Sequence, residues 1–141
     1  MLQTEARSQV AQLIKQAHQA QQKLEAYDQA AVDELVTAAA WALVNPTNNQ
    51  TLSELAVAET ELGNVADKIT KNHRKTLGLL RDLKDAKTVG VIRRDPEQGI
   101  VEIARAVGIV GAIVPSTNPI ATPMNMILNA LKCRNAIILS P

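Results

Sequence analysis

The chain has 141 residues, of which 46% are hydrophobic and 21% charged, with a formal net charge of +1. That composition fits one domain with a real core and excludes a disordered chain, and the small net charge offers no excess for nucleic acid or an anionic membrane surface. No stretch is long enough without charge to cross a bilayer, the polar start from Met1 to Lys15 lacks the apolar run of a secretory signal, and the single cysteine, Cys133, cannot form an internal disulfide. These features predict a protein of a reducing compartment, the cytoplasm.

One number is unusual. There is no Phe, and the large aromatic residues are one Trp, Trp41, and one Tyr, Tyr27. Aromatic rings normally supply much of a core's buried area. Leu, Ile, Val and Ala must supply it here, which predicts close helix packing and a core completed from outside these residues.

In chain order the first half reads as helices. Val10, Leu13, Ile14, Ala17 and Leu24 share one face at helical spacing, with Thr4 as the predicted N-cap. Asp28 is placed to cap a second helix with apolar face Val32, Leu35, Val36, Ala39, Ala40 and Leu43. Asn45-Pro46 ends it, because proline disfavours a helical residue before it. A polar loop is predicted over Thr47 to Gln50, and Thr51-Leu52-Ser53-Glu54 reads as a capping box that opens a third helix. Gly63 stops that helix. Asn64 caps a fourth, with Val65, Ile69, Leu77 and Leu80 inward and its end fraying over Asp82 to Lys87.

The period then changes. Thr88 to Arg93 is rich in β-formers, Asp95-Pro96-Glu97-Gln98-Gly99 is turn chemistry, and the alternation from Ile100 to Ala106 gives a second strand and a hairpin. Gly108 breaks it. Ile109 to Val114 is a continuous apolar run, predicted to be a strand buried on both faces of a parallel sheet. Pro115 to Pro119 is a loop, Thr122-Pro123 reads as N-cap and first helical position, and Met124, Ile127, Leu128 and Leu131 mark a helix. Ala136 to Leu139 is another buried strand. The predicted fold class is α/β, in three parts: a helical part over residues 1–87, a hairpin over 88–107, and a βαβ unit over 108–141. Two parallel strands cannot cover themselves, so the unit reads as the start of a larger sheet.

Gly111-Ala112-Ile113-Val114-Pro115-Ser116-Thr117-Asn118-Pro119, followed by Leu131-Lys132-Cys133-Arg134-Asn135-Ala136-Ile137-Ile138-Leu139-Ser140-Pro141, resembles the coenzyme-A-acylating branch of the aldehyde dehydrogenase superfamily. Ala58-Glu59-Thr60-Glu61-Leu62-Gly63, with Asp67-Lys68 and Lys71-Asn72-His73, carries the same resemblance, which covers nearly the whole chain. It fits both stand-alone acylating enzymes and the first half of bifunctional aldehyde–alcohol dehydrogenases. It implies that residues 108–141 are the first βαβ unit of an incomplete Rossmann-like cofactor domain, and that the hairpin strands pair between subunits of a homo-oligomer. The implied activity is oxidation of a small aldehyde by NAD or NADP, with coenzyme A as co-substrate, through a cysteine thioester. Neither nucleic acid nor membrane is an implied partner. By resemblance Asn118 is the oxyanion-hole donor, and Pro115, Ser116 and Thr117 line the nicotinamide cofactor. Ser140 stands where most non-acylating members have a Lys, and Thr117 where they have an aromatic residue; both departures agree with the acylating branch. The Ser140 substitution leaves NAD and NADP undistinguished. Some acylating enzymes carry a first helix that directs them into a bacterial microcompartment; here that helix runs straight into Tyr27-Asp28, which favours packing against its own domain.

Without the resemblance, Asn118 reads as a turn residue before Pro119, and Ser140 as the end of a strand. Cys133 reads as a buried small hydrophobe rather than a nucleophile, and the family's nucleophile lies outside these residues. His18 and His73 lack metal-ligand spacing, and no metal site is expected. Glu59/Glu61 and Asp95/Glu97 read as cap and turn residues, and Gly108-x-x-Gly111 is too short for a phosphate loop. Two readings follow: an enzyme part inactive by itself, or a non-catalytic assembly module.

Overall fold

The computed structural model describes residues 2–140, with side chains from residue 5 onward. Four helices come first: α1 (Leu2–Glu25), α2 (Gln29–Val44), α3 (Pro46–Thr60) and α4 (Val65–Leu83). A hairpin of β1 (Gly90–Asp95) and β2 (Ile100–Ala104) follows, then β3 (Ile109–Ile113), α5 (Ala121–Lys132) and β4 (Ala136–Ser140). The Ile109 run is therefore a strand, as its composition predicts.

The helix boundaries follow from side chains that accept orphan backbone N–H groups. Asp28 takes the Ala31 N–H at 2.8 Å and Asn64 takes that of Asp67 at 2.9 Å, both as expected. Asn45 differs. It closes α2 and also opens α3, accepting from the Thr47 and Asn48 amides, with Pro46 in the first turn. The expected polar loop over Thr47 to Gln50 is thus the first turn of a helix, and the expected capping box at Thr51 lies inside it. The Thr51 hydroxyl donates instead to the Thr47 carbonyl at 3.0 Å, and the Glu54 carboxylate accepts from the Gln50 amide. Because Asn45 starts the helix earlier, Thr51 and Glu54 lie inside it and the box has no helix start to cap. At the other end Glu61, at φ 55°, takes the left-handed position just before Gly63. The predicted N-cap Thr4 falls within the span of α1, and its side chain lies outside the described residues.

The core is small and aliphatic. Val32, Val36 and Ala40 of α2 meet Leu128 of α5, with Leu79, Leu80 and Leu83 of α4 and Met124 and Leu131 of α5 around them. Full burial contributes roughly 1.5–3 kcal/mol for each of Val32, Val36 and Leu128. Elsewhere the expected inward faces are open. Val10, Leu13 and Ile14 of α1 and Leu77 of α4 are exposed, and so are Trp41 and Tyr27. Beyond the leucines at its carboxyl end that reach the core, the fully buried residues of α4 are polar: Lys68, Asn72 and Thr76. The Asn72 amide donates to Asn49 Oδ1 at 2.9 Å and to Ser53 Oγ at 3.2 Å, and Asn49 donates to the Ile69 carbonyl at 3.0 Å. A polar seam therefore joins α3 to α4 where an apolar one was expected.

The hairpin is antiparallel, pairing Gly90 with Ala104 and Asp95 with Ile100 across a bulge at Val91/Arg93. The Asp95 carboxylate accepts the Gln98 N–H at 3.0 Å, and Gly99 at φ 67° completes the turn. β3 and β4 are parallel, in register from Ile109/Ala136 to Ile113/Ser140. Both α1 and α5 pack on them. Neither strand is buried on both faces as predicted: Ile113 is 81% exposed and Leu139 is also open. The reason is the strand count, because a parallel pair with no further neighbours leaves its edges uncovered.

α5 ends in a turn that ties distant segments together. Arg134 is left-handed at φ 57°, and the Asn135 N–H returns to the Ala130 carbonyl at 2.8 Å. Arg134 donates to the Glu25 carbonyl at 2.9 Å, capping the end of α1. Buried Asn135 accepts from the amides of Val107 at 2.8 Å and Gly108 at 3.0 Å, which holds the hairpin's exit beside the start of β4. Asn135→Ala leaves both N–H groups without a partner and is expected to cost roughly 2–3 kcal/mol. Urea unfolding measures this, and a loss below about 0.5 kcal/mol, the usual scatter of neutral surface changes, would refute the tie.

Candidate active-site loop

The parallel register brings the carboxyl ends of β3 and β4 to one edge. Ile113 faces Ser140, and the Val114 N–H donates to the Ser140 carbonyl at 2.8 Å. From that edge the loop Pro115 to Pro119 leads into α5. Pro115, Ser116 and Thr117 are exposed, Asn118 is half-buried, and Ser140 is exposed beside them. In open α/β sheets this edge is where ligands lie. The five residues singled out in the sequence thus converge on one place, across two strands separated by a helix.

Asn118 is held firmly. Its backbone N–H closes a turn onto the Pro115 carbonyl at 3.2 Å, and its side-chain Nδ2 donates to Thr122 Oγ1 at 2.8 Å. An amide nitrogen carries two hydrogens, so one remains for another acceptor. The Oδ1 atom is buried without a partner. Thr122 does not cap α5 as the sequence suggested. Ile120 occupies the cap position, without a side-chain bond, and Pro123 lies within the first turn. The Thr122 hydroxyl is engaged by Asn118 instead, because the loop turns back on itself before the helix starts.

Cys133 is exposed, not buried as expected, and it closes the opposite end of α5. Twelve helical residues separate the two ends, about 18 Å at 1.5 Å per residue. Its thiol cannot reach a carbonyl held at Asn118. Its neighbour Lys132 carries a feature the sequence did not reveal. Lys132 is buried and donates from Nζ to Asp33 Oδ1 at 2.5 Å. Gln29 donates to the same carboxylate oxygen at 3.0 Å and accepts the Thr88 N–H at 2.8 Å. This cluster fixes α5 to α2 and to the approach of the hairpin. Beside the local Gln29–Asp33 bond, the contacts that join separate elements are 59 and 99 residues apart, so no local pattern announces them.

No group of three or more His, Cys, Asp or Glu suited to a metal occurs among the described residues. His18 and His73 are exposed. Among the described residues no helix is long and apolar enough to cross a membrane.

A family model described as "Aldehyde dehydrogenase family" matches residues 2–141, and the chain belongs to that family. Relatives named as acylating or acetylating are among those found. The chain is 61% identical to sulfoacetaldehyde dehydrogenase (acylating) of Cupriavidus necator over 94% of its own length and 27% of that protein. An acetylating aldehyde dehydrogenase from Geobacillus thermoglucosidasius, 40% identical, superposes with a TM-score of 0.93 over 100% of this chain and 31% of its own. A propionaldehyde dehydrogenase from Rhodopseudomonas palustris with bound propionyl-CoA, 26% identical, gives 0.73 over 91% of this chain and 28% of its own. The chain thus spans less than a third of the length of these relatives.

The exposed Cys133 is expected to react with a water-soluble disulfide reagent in the native chain at the rate of an unfolded control, within about tenfold. Labelling only after denaturant is added would show that the thiol is covered.

Proposed function

We propose that these residues supply the oxyanion donor and part of the cofactor edge of an enzyme that converts an aldehyde, NAD(P)+ and coenzyme A into acyl-CoA and NAD(P)H. The observation that carries this is the convergence of the Pro115–Asn118 loop with Ser140 at the carboxyl edge of the parallel pair, with the Asn118 amide fixed by Thr122. The edge suits a dinucleotide: Ser116 and Thr117 offer exposed hydroxyls, and Ser140 stands on the adjacent strand. When bound there, the nicotinamide takes up hydride. Asn118 acts earlier. When a thiolate adds to an aldehyde carbon, charge develops on oxygen, and a donor already held in place stabilises it without reorganisation. The thiolate would come from a cysteine outside these residues, since Cys133 lies at the wrong end of α5. Coenzyme A would then take the acyl group from that cysteine. The 61% identical relative is named for sulfoacetaldehyde, and we take a short aldehyde bearing an anionic group as the substrate.

A second role is assembly. Val91, Ile92, Ile100, Val101 and Ile103 of the hairpin are exposed, and its two strands pack chiefly on each other. An isolated hairpin is marginal in water. A second copy of the protein would cover these side chains and complete a homo-oligomer.

The 141-residue chain alone is expected to release no NADH from coenzyme A and a short aldehyde, because it lacks the nucleophile and most of the sheet. In the full-length protein Asn118→Ala should lower turnover by about 10²–10³, whereas Cys133→Ser should leave it nearly intact. Robust turnover by the short chain, abolished by Cys133→Ser, would overturn the assignment of the nucleophile.

A further inference from the structure

A cleft of about 680 Å³ opens between α4 and α5. Lys71, Arg74 and Lys75 line its α4 wall, and none has an ion-pair partner among the described residues. Two carboxylates share the lining: Asp67, which accepts from the Asn64 side chain at 2.6 Å, and Asp82, which pairs with Arg81 at 3.5 Å. The cations of the cleft exceed its carboxylates by one. Asn125 lines it from the first turns of α5, and its Oδ1 is buried without a partner. A smaller cavity beside the cleft is lined by Asp67, Lys68, Lys71 and Thr117, among others. Lys71 and Asp67 thus border both spaces, between the α4 wall and the residue preceding Asn118.

We propose that this cleft is an anion subsite that holds the sulfonate or carboxylate of the aldehyde substrate, with Lys71 and Arg74 as its principal contacts. The inference rests on the reading of the Asn118 loop as the aldehyde site. A guanidinium and an ammonium on one helix face form charge-assisted hydrogen bonds to tetrahedral or planar oxyanions, and the span from Lys71 to Thr117 orients the carbonyl end toward Asn118. The phosphates of coenzyme A offer the same chemistry, so the test must separate the two sources.

The experiment compares full-length wild type with the Lys71→Gln/Arg74→Gln double variant. KM is measured for sulfoacetaldehyde, for uncharged acetaldehyde and for coenzyme A. The expected result is a KM for sulfoacetaldehyde raised at least about tenfold, the loss of one charge-assisted contact, with kcat and KM for acetaldehyde and KM for coenzyme A within about twofold. Lys71→Arg, which keeps the charge, should retain the low KM, and a failure of the double variant to fold would then be seen as loss of acetaldehyde turnover as well. A rise confined to coenzyme A, or no change in any KM, overturns the proposal. Calorimetric binding of isethionate, an unreactive sulfonate, gives a readout independent of turnover. If wild type turns over no aldehyde yet binds isethionate and the double variant does not, the subsite stands and the enzymatic reading falls. If wild type turns over aldehydes but binds no isethionate, the subsite falls alone.

Discussion

The rest of the structure depends on the turn at Arg134 and Asn135. One side-chain oxygen, Asn135 Oδ1, collects two backbone donors from Val107 and Gly108 and so places β3 beside β4. That adjacency sets the parallel register, and the register brings Ser140 next to the loop that carries Asn118. Arg134 extends the same tie to the end of α1. Its left-handed backbone, unusual for a side chain with a Cβ, is held by the bond from Asn135 N–H to Ala130 and by the contacts of the guanidinium. Two consecutive polar residues thus connect three parts of the chain that are far apart in sequence.

Cations in this protein divide by whether the fold answers them. Lys132 is buried against the partly exposed Asp33, where losing the carboxylate would strand the ammonium away from water. Arg93 pairs across the hairpin with Glu102 at 2.8 Å, an exposed contact worth little by itself. Lys71, Arg74 and Lys75 have no such partner and share one cleft. Asp67 and Asp82 line the same cleft, so its cations exceed its carboxylates by one.

The shortage of aromatic residues has a structural counterpart. The aliphatic core around Val32, Val36, Ala40 and Leu128 closes, but α1, β3 and the hairpin keep large apolar side chains in the open. Polar contacts do part of the joining that apolar burial does elsewhere, in the Asn49–Ser53–Asn72 seam and in the Gln29–Thr88 clamp. Solved relatives more than three times as long as this segment superpose on it. The open faces are consistent with surfaces made to meet the remainder of such a protein.

The sequence by itself determined what depends on local interactions. Asp28 and Asn64 declare helix starts because a short side chain reaches an amide three residues on. The Asp95–Gly99 turn and the apolar runs of β3 and β4 are equally local, and the Thr117-Asn118-Pro119 loop carried the resemblance through residue identity alone. Asn45 shows the limit: it could end one helix or begin the next, and only the packing of α2 on α3 decided that it does both. The tertiary structure alone decided which face of α4 is buried, since Asn72 and Thr76 look like surface residues until Asn49 and Ser53 arrive from another helix. It decided that Asn118 is braced by Thr122, that Lys132 is buried on Asp33, and that Cys133 faces solvent. It also joined Lys71 of α4 to Asn125 of α5 in one cleft. Such placements depend on contacts between residues far apart in the chain, and periodicity within one element carries no information about its neighbour.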